Sequence, residues 1–405
     1  MSSLMDILLF RAGHNTAVVL VGCVVLGVSA AVVGAFAVLR KRALMADALG
    51  HATLPGIALG FMISAAFNGT GRETAALLLG ATATGVVGVL AVQGILATRR
   101  LREDAAIGAV LSVFFGVGAV LLSRIQALPG ADAGGLTHLI LGQTASMRSG
   151  DAWLIAGAGA FAVAVVALLY KELRLVAFDQ EFARVQGWPV AGLDLAVMTL
   201  VTVVTVVGLQ AVGLILVVAL LIIPPAAARF WTDRLGVMLV VAGVIGGASG
   251  AGGAAVSAVS RNLPIGALIV LFAGAIFLAG LLAAPRRGIV ASVVRTARLR
   301  LLVASHHRLR ELLGGPSDPL GAHERLADLA LRRRGLAAST PAGLVLTEAG
   351  RRRALELEHA ERWWIDRFGT TPGSGPPPSA DAVEHILSPG LIDRLDGRSR
   401  GGDRP

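Results

Sequence analysis

Nine stretches of the chain are apolar almost all the way round, near residues 16–39, 43–67, 74–97, 105–123, 152–170, 190–208, 211–228, 235–257 and 264–285. Each is close to the length of about 20 residues that a helix needs to cross a hydrocarbon layer of ~30 Å. Neither a period of 2 nor a clean period of 3.6 runs through them, as expected for helices facing lipid or buried on every side. The pattern therefore predicts eight or nine transmembrane helices. The uncertain count comes from "LQAVG" at 209–213, too short for an ordinary loop and readable as a re-entrant turn or a break in one long helix. After Arg286 the pattern changes. Residues 286–405 hold 20 arginines and 14 acids, a net of +6, and no run long enough to span. Helices are predicted at about 292–313 and 321–334, a hairpin over "GLAASTPAGLVLT", and a helix capped by Thr347 running to about Phe368. "GTTPGSGPPPS" at 369–379 reads as a linker, followed by a short helix and a disordered tail.

Composition supports this division. Over 405 residues, 55% are hydrophobic, 15% charged, and mean hydropathy is +0.74, against about 25% charged residues in an ordinary soluble domain. The 51 glycines, including "GGASGAGGAA" at 246–255, are read as surfaces where membrane helices pack closely. Short loops alternate in charge. Arg40, Lys41, Arg42, Arg99, Arg100, Arg102, Lys171, Arg174, Arg184, Arg229 and Arg234 fall on one side, and Arg11, Arg72, Arg124, Arg148 and Arg261 on the other. Eleven against five makes the first side cytoplasmic, so the second domain is cytoplasmic too. The first fifteen residues lack a basic start before an apolar core, so no cleaved signal peptide is expected. Cys23 alone excludes intrachain disulfides and cysteine-based metal sites. The only lysines, Lys41 and Lys171, follow Arg40 and Tyr170, so neither closes a phosphate-binding G-x-x-x-x-G-K-[ST] loop.

Ionisable side chains at membrane depth are costly and face a protein interior or a wet cavity. Asp47 and His51, four residues apart, lie on one helical face. They form either a minimal site for manganese, iron or zinc or a local hydrogen bond between two buried groups. Asp47 sits five residues past Arg42, roughly 8 Å along a helix, in the inner half of the bilayer. His14 is read as interfacial, His138 as an outer-loop residue, and Gln143, Gln210 and Asn262 as hydrogen-bonding residues between helices.

"RKRALMADALGHATLPGIALGF" closely resembles the membrane permease of the zinc/manganese/iron family of ABC importers, with its Asp-x-x-x-His-x-x-x-Pro-Gly segment. The resemblance continues through residues 97–123, 136–147, 171–190 and 209–236, and covers essentially all of 15–288. It implies an ABC permease with no ATP site or prosthetic group, moving Mn²⁺, Zn²⁺ or Fe²⁺ as substrate through Asp47 and His51. The implied partners are a separate ATPase subunit, an extracytoplasmic metal-binding protein, a second permease copy or paralogue, and membrane lipid. "EFARVQG" at 181–187 resembles the coupling segment of such permeases, with Glu181, Phe182, Arg184 and Gly187 as the ATPase contact, Glu181 and Arg184 outward, and Phe182 and Val185 on another face. "TRRLREDAAIG" is a lesser contact.

The extension resembles, more loosely, iron- and manganese-dependent winged-helix metalloregulators, through "LRRRGL", "LVLTEAGRRRA" and "DAVEHILSPGLIDRLD". In that resemblance Asp381, Glu384 and His385 hold metal-ligand positions, read either as a regulatory metal site or as part of a degenerate structural remnant. The pattern departs where Glu361 and Ile365 replace expected ligands, His359 is out of phase, and 302–334 is too short for a three-helix DNA-binding unit. DNA is not expected as a partner of the basic runs 332–334 and 351–353.

The sequence thus predicts an all-α polytopic membrane protein with about 8–9 spans and a small cytoplasmic α+β winged-helix-like domain, in the cytoplasmic membrane. Its divisions are 1–15, an N-terminal segment; 16–288, the permease; 289–368, the winged-helix-like domain; and 369–405, linker, metalloregulator-like helix and tail. The competing functions are a membrane-tethered, metal-responsive transcription regulator and a transporter driven by ion gradients alone.

Overall fold

The structure, a computed structural model, describes residues 13–40, 42–68, 73–98, 100–127, 147–259, 263–285, 287–317, 321–341 and 343–368. It divides into two compact units, Met1–Ile289 and Val290–Pro405.

The first unit is helical: α1 (His14–Leu39), α2 (Ala43–Ala52), α3 (Leu54–Asn68), α4 (Thr74–Ala97), α5 (Glu103–Gln126), α6 (Ser149–Leu168), α7 (Tyr170–Phe178), α8 (Gln180–Val185), α9 (Val190–Val212), α10 (Leu214–Trp231), α11 (Leu235–Val259) and α12 (Ile265–Ala283). Among the described residues eight helical stretches are long and apolar enough to cross a membrane, α2 and α3 acting together as Leu44–Phe67. The shorter apolar helix Leu216–Trp231 overlaps the stretch predicted at 211–228. "LQAVG" is the break between two helices. Gly213 ends α9 and starts α10 with φ of +90°, a backbone region that side chains with a Cβ avoid.

Helix α1 is the hub, packed against α6, α9, α10 and α11. Its interior face carries Cys23, Leu26, Ala30, Ala31, Val33 and Phe36, all essentially buried. Lipid tails are as apolar as leucine, so membrane helices associate through close packing of small residues. Here glycine meets backbone. A Cβ added at Gly27 would overlap the Gly246 carbonyl, one at Gly246 the Gly27 carbonyl, and one at Gly250 the Cys23 carbonyl. Thus "GGASGAGGAA" is the groove that receives α1. On α10, Pro224 and Pro225 stand inside the helix, and Pro225 has no N–H to offer the Leu221 carbonyl four residues back. That carbonyl faces Gly34 of α1, where a Cβ would overlap it. A second crossing of this kind joins α3 and α4, where Gly56 meets Gly80 and Gly60 meets Ala76.

The second unit comprises α13 (Ile289–Glu311), a 3₁₀ turn (Leu312–Gly314), α14 (Ala322–Arg333), an antiparallel pair β1 (Ala337–Thr340) and β2 (Gly343–Leu346), and α15 (Glu348–Phe368). Ala337 pairs with Leu346 and Thr340 with Gly343. Between α14 and α15 the described residues hold this one two-stranded sheet, and between α13 and α14 they hold the 3₁₀ turn and Ser317, which bridges to Leu344. Leu309, Leu312, Leu331, Ala337, Leu344, Ala354 and Leu357 form the core. Arg308 is buried among them, 1% exposed, with its donors satisfied. Nε donates to Asp328 at 2.9 Å, Nη1 to Glu311 and the Ser317 hydroxyl at 2.8 Å, and Nη2 to the Ser317 carbonyl at 2.8 Å. The predicted cap is present, the Gly350 N–H donating to Thr347 Oγ1 at 3.2 Å.

The packing sets opposite signs for two alanine substitutions. Gly246→Ala forces α1 and α11 apart and costs ~1–3 kcal/mol, as overpacking does. Gly274→Ala, on α12 with nothing within 4 Å of its would-be Cβ, gains about 0.5–1 kcal/mol of helix propensity. Unfolding temperatures in detergent should fall for the first and hold or rise for the second; equal effects would remove the backbone contact as the reason.

Candidate functional site

Helix α2 is embedded on most of its surface. Met45, Ala46, Ala48, Leu49 and Ala52 are buried, and the period of 3.6 leaves one less covered face, which carries Asp47 and His51. Their side chains are 45% and 27% exposed, and Oδ1 of Asp47 lies 3.7 Å from Nε2 of His51. That is too far for a hydrogen bond. It suits two ligands of one cation. With metal–ligand distances of about 2.1 Å, both atoms can reach one ion across a 3.7 Å separation. The other ring nitrogen, Nδ1, is buried without a hydrogen-bond partner. The imidazole is set edge-on to Phe115 of α5, ring centroids 5.3 Å apart at 90°.

The local sequence explains this placement. "HATLPG" breaks the span at Thr53, whose hydroxyl donates to the Gly50 carbonyl at 2.6 Å. Pro55 has no N–H to offer the His51 carbonyl, so the helix restarts at Leu54 directly beyond the ligand pair. One face of α5 fits this break. Gly118 lies against Leu54 and Pro55, and a Cβ there would come within 2.8 Å of Leu54 Cβ. One turn earlier on that face, Phe115 meets His51. Phe115 was not recognised in the sequence, where it reads as one more apolar span residue.

The second candidate region is the pair of short helices α7 and α8. Asp179 caps α8, accepting from the Phe182 N–H at 2.9 Å. Gly187 ends the turn with φ of +84°. Ala183 is the buried anchor. Phe182 and Val185 are exposed, Val185 at 86%, and Glu181 and Arg184 pair at 2.7 Å with both side chains in the open. Glu181 and Arg184 stand outward, and Phe182 and Val185, on another face, are exposed as well. With only six residues and Ala183 as its contact to the fold, α8 presents all four side chains outward, and exposed apolar patches of this kind mark interaction sites.

Behind this surface lies an ion cluster that sequence reading missed. Arg40, 6% exposed, donates to Asp194 of α9 at 2.5 Å and to the Val176 carbonyl of α7 at 2.8 Å. With its amide oxygen turned toward Arg40, Gln180 of α8 accepts from Nη1 at 3.0 Å. Arg42, at the N-terminus of α2, reaches the same Asp194 oxygen at 3.2 Å and pairs with Glu103, the first residue of α5. Burial pushes the Arg40 guanidinium down from its ordinary value, Asp194 opposes that, and Arg42 adds to it. The signal in the sequence was two acids at span ends opposite two arginines, counted there only for orientation.

The other candidates are dispersed. His14 is exposed at the start of α1, and Gln210 lies in α9. His138, Gln143, Asn262 and the regulatory candidates Asp381, Glu384 and His385 lie outside the described residues. Among the described residues no three His, Cys, Asp or Glu side chains gather as a metal site, so Asp47 and His51 stand as a pair.

Comparison with known proteins gives this geometry a context. The manganese transport system membrane protein MntC of Bacillus subtilis is 40% identical over 287 residues, which are 71% of this chain and 65% of that relative; the match thus spans just under two thirds of its length. The zinc transport system membrane protein TroC of Treponema pallidum is also 40% identical, over 284 residues, 70% of this chain and 94% of TroC. Among solved structures, PsaBC from Streptococcus pneumoniae in complex with Fab superposes with a TM-score of 0.60 at 30% identity, covering 70% of this chain and 96% of that one. The sequence profile of the ABC 3 transport family matches residues 14–284, the whole helical unit that holds α2 and α8, and the chain belongs to that family of multi-pass membrane proteins.

Proposed function

We propose that this chain is the membrane permease of an ATP-binding-cassette importer that carries Mn²⁺ or Zn²⁺ through the cytoplasmic membrane, with Asp47 and His51 holding the ion in transit. The observation that carries this reading is the 3.7 Å pair on one face of an embedded, broken helix. A carboxylate and an imidazole suit borderline divalent ions. Two protein ligands leave the remaining positions to water, so the ion binds and leaves again, as conduction requires. Relatives named for manganese and zinc transport support the cargo class.

The energy source is a separate ATPase, because no phosphate-binding loop occurs in the sequence. The exposed Phe182 and Val185, flanked by the Glu181–Arg184 pair, are its contact. Hydrolysis on that subunit moves α8, and the permease turns the motion into access to the ion pair. An extracytoplasmic metal-binding protein delivers the ion, and a second permease, identical or paralogous, completes the pathway.

Asp47→Ala and His51→Ala should each lower uptake of radiolabelled Mn²⁺ and Zn²⁺ at least tenfold in cells lacking their own importer, with membrane levels of the protein unchanged. Normal accumulation by both variants would remove the pair from the ion path.

The purified chain should show no ATPase activity alone. Gly187→Arg, which places a side chain at a positive φ beside the contact, should lose ATPase association or transport. Retained assembly and uptake in that variant would put the contact elsewhere.

A further inference from the structure

The ion cluster behind α8 joins the two regions that transport must connect. We propose that Arg40 and Asp194 are positioning residues that transmit movement of α8 to the N-terminus of α2, and so set the geometry of Asp47 and His51. This rests on the transport reading above and adds its mechanical link.

The contacts are sequential. Arg40 grips the end of α7 through the Val176 carbonyl and the start of α8 through Gln180. Arg184 of α8 lies close enough for its charge to act on Arg40. The same guanidinium is paired with Asp194, and Asp194 with Arg42. Arg42 is the N-cap of α2; Asp47 follows five residues later and His51 nine, about 8 and 14 Å along the helix at 1.5 Å per residue. A helix this short and well packed moves as one piece, so displacing its capped end displaces both ligands.

The charges favour this role over a purely structural one. Two arginines and two carboxylates balance, from the α1–α2 junction, α5 and α9, and the Val176 carbonyl of α7 and the Gln180 amide of α8 bring the segments joined to five. A well-packed apolar cluster would hold those segments at least as firmly, since desolvating ions offsets much of what pairing returns. What a guanidinium fork adds is direction. Its planar donors fix two acceptors at set angles, which a lysine ammonium does not. Arg40 uses that fork between the α7 carbonyl and the α9 carboxylate.

The test uses the full chain, reconstituted with its ATPase and binding protein in vesicles, and reads three quantities: ATP hydrolysis, Mn²⁺ moved per ATP, and Mn²⁺ affinity of the permease. Arg40→Lys keeps the charge and loses the fork, and Asp194→Asn keeps the shape and loses the charge. Each should leave hydrolysis and affinity within about twofold of wild type and reduce Mn²⁺ moved per ATP at least fivefold. An unchanged ratio overturns the proposal. So does a loss of affinity that accounts for the lost transport, because the cluster then merely holds the site. If either variant fails to assemble, Gln180→Leu decides by the same ratio, since it removes one surface contact of Arg40 and no charge. Wild-type vesicles that hydrolyse ATP but move neither Mn²⁺ nor Zn²⁺ overturn the transport reading instead.

Discussion

The structure depends on backbone touching backbone along α1. In lipid there is no hydrophobic gain in pushing one apolar helix onto another, so affinity must come from dense van der Waals contact. Density of that order needs the side chains out of the way. Gly27, Gly34, Gly246 and Gly250 supply it, and α10 and α11 close on α1 where those residues stand. With α1 fixed, its C-terminal end delivers Arg40 to the buried ion cluster, and the turn that follows starts α2 at a defined height and rotation. Asp47 and His51 are thus placed by glycines that lie on other helices of the bundle.

Buried hydroxyls within the spans, such as Ser29, Thr202 and Ser249, donate to carbonyls of their own helix, whereas the charged groups described above gather at breaks and ends. Thr53 and Pro55 interrupt the second span beside His51, Gly213 interrupts the α9–α10 region, and the arginine–carboxylate cluster lies where α1, α2, α5 and α9 begin or finish. This follows from the solvent. A bilayer tolerates irregular backbone and charge only where protein encloses them or water reaches them, so the chemically useful positions and the interruptions coincide.

Much of this was legible in the sequence, because a membrane imposes a strong one-dimensional signal. The long apolar stretches and Thr347 as a cap follow from length and capping rules. Asp47 and His51 were legible as neighbours because i and i+4 fix a shared face. Phe115 was not, since an aromatic in an apolar helix carries no mark of which neighbour it meets. Nor was the Arg40–Asp194–Arg42–Glu103 cluster, whose members lie far apart in sequence and are joined by tertiary packing alone. The exposure of Phe182 and Val185 was not legible either, because periodicity does not say whether a core lies on one side, and a six-residue helix anchored by Ala183 has almost none.

The contact between Gly27 and Gly246 also has a history in time. Chains emerge from the ribosome at about 5–20 residues per second, so roughly 10–40 s separate the synthesis of the two glycines. For that interval the first span sits in the membrane with its small-residue groove unfilled and its final neighbours unmade. Helices α3 and α4, whose glycines meet within one hairpin of chain, have no such wait. Assembly therefore runs from a local pair toward a late docking of α10 and α11 onto α1, and the closure that the bundle is built around comes after its helices have waited longest for one another.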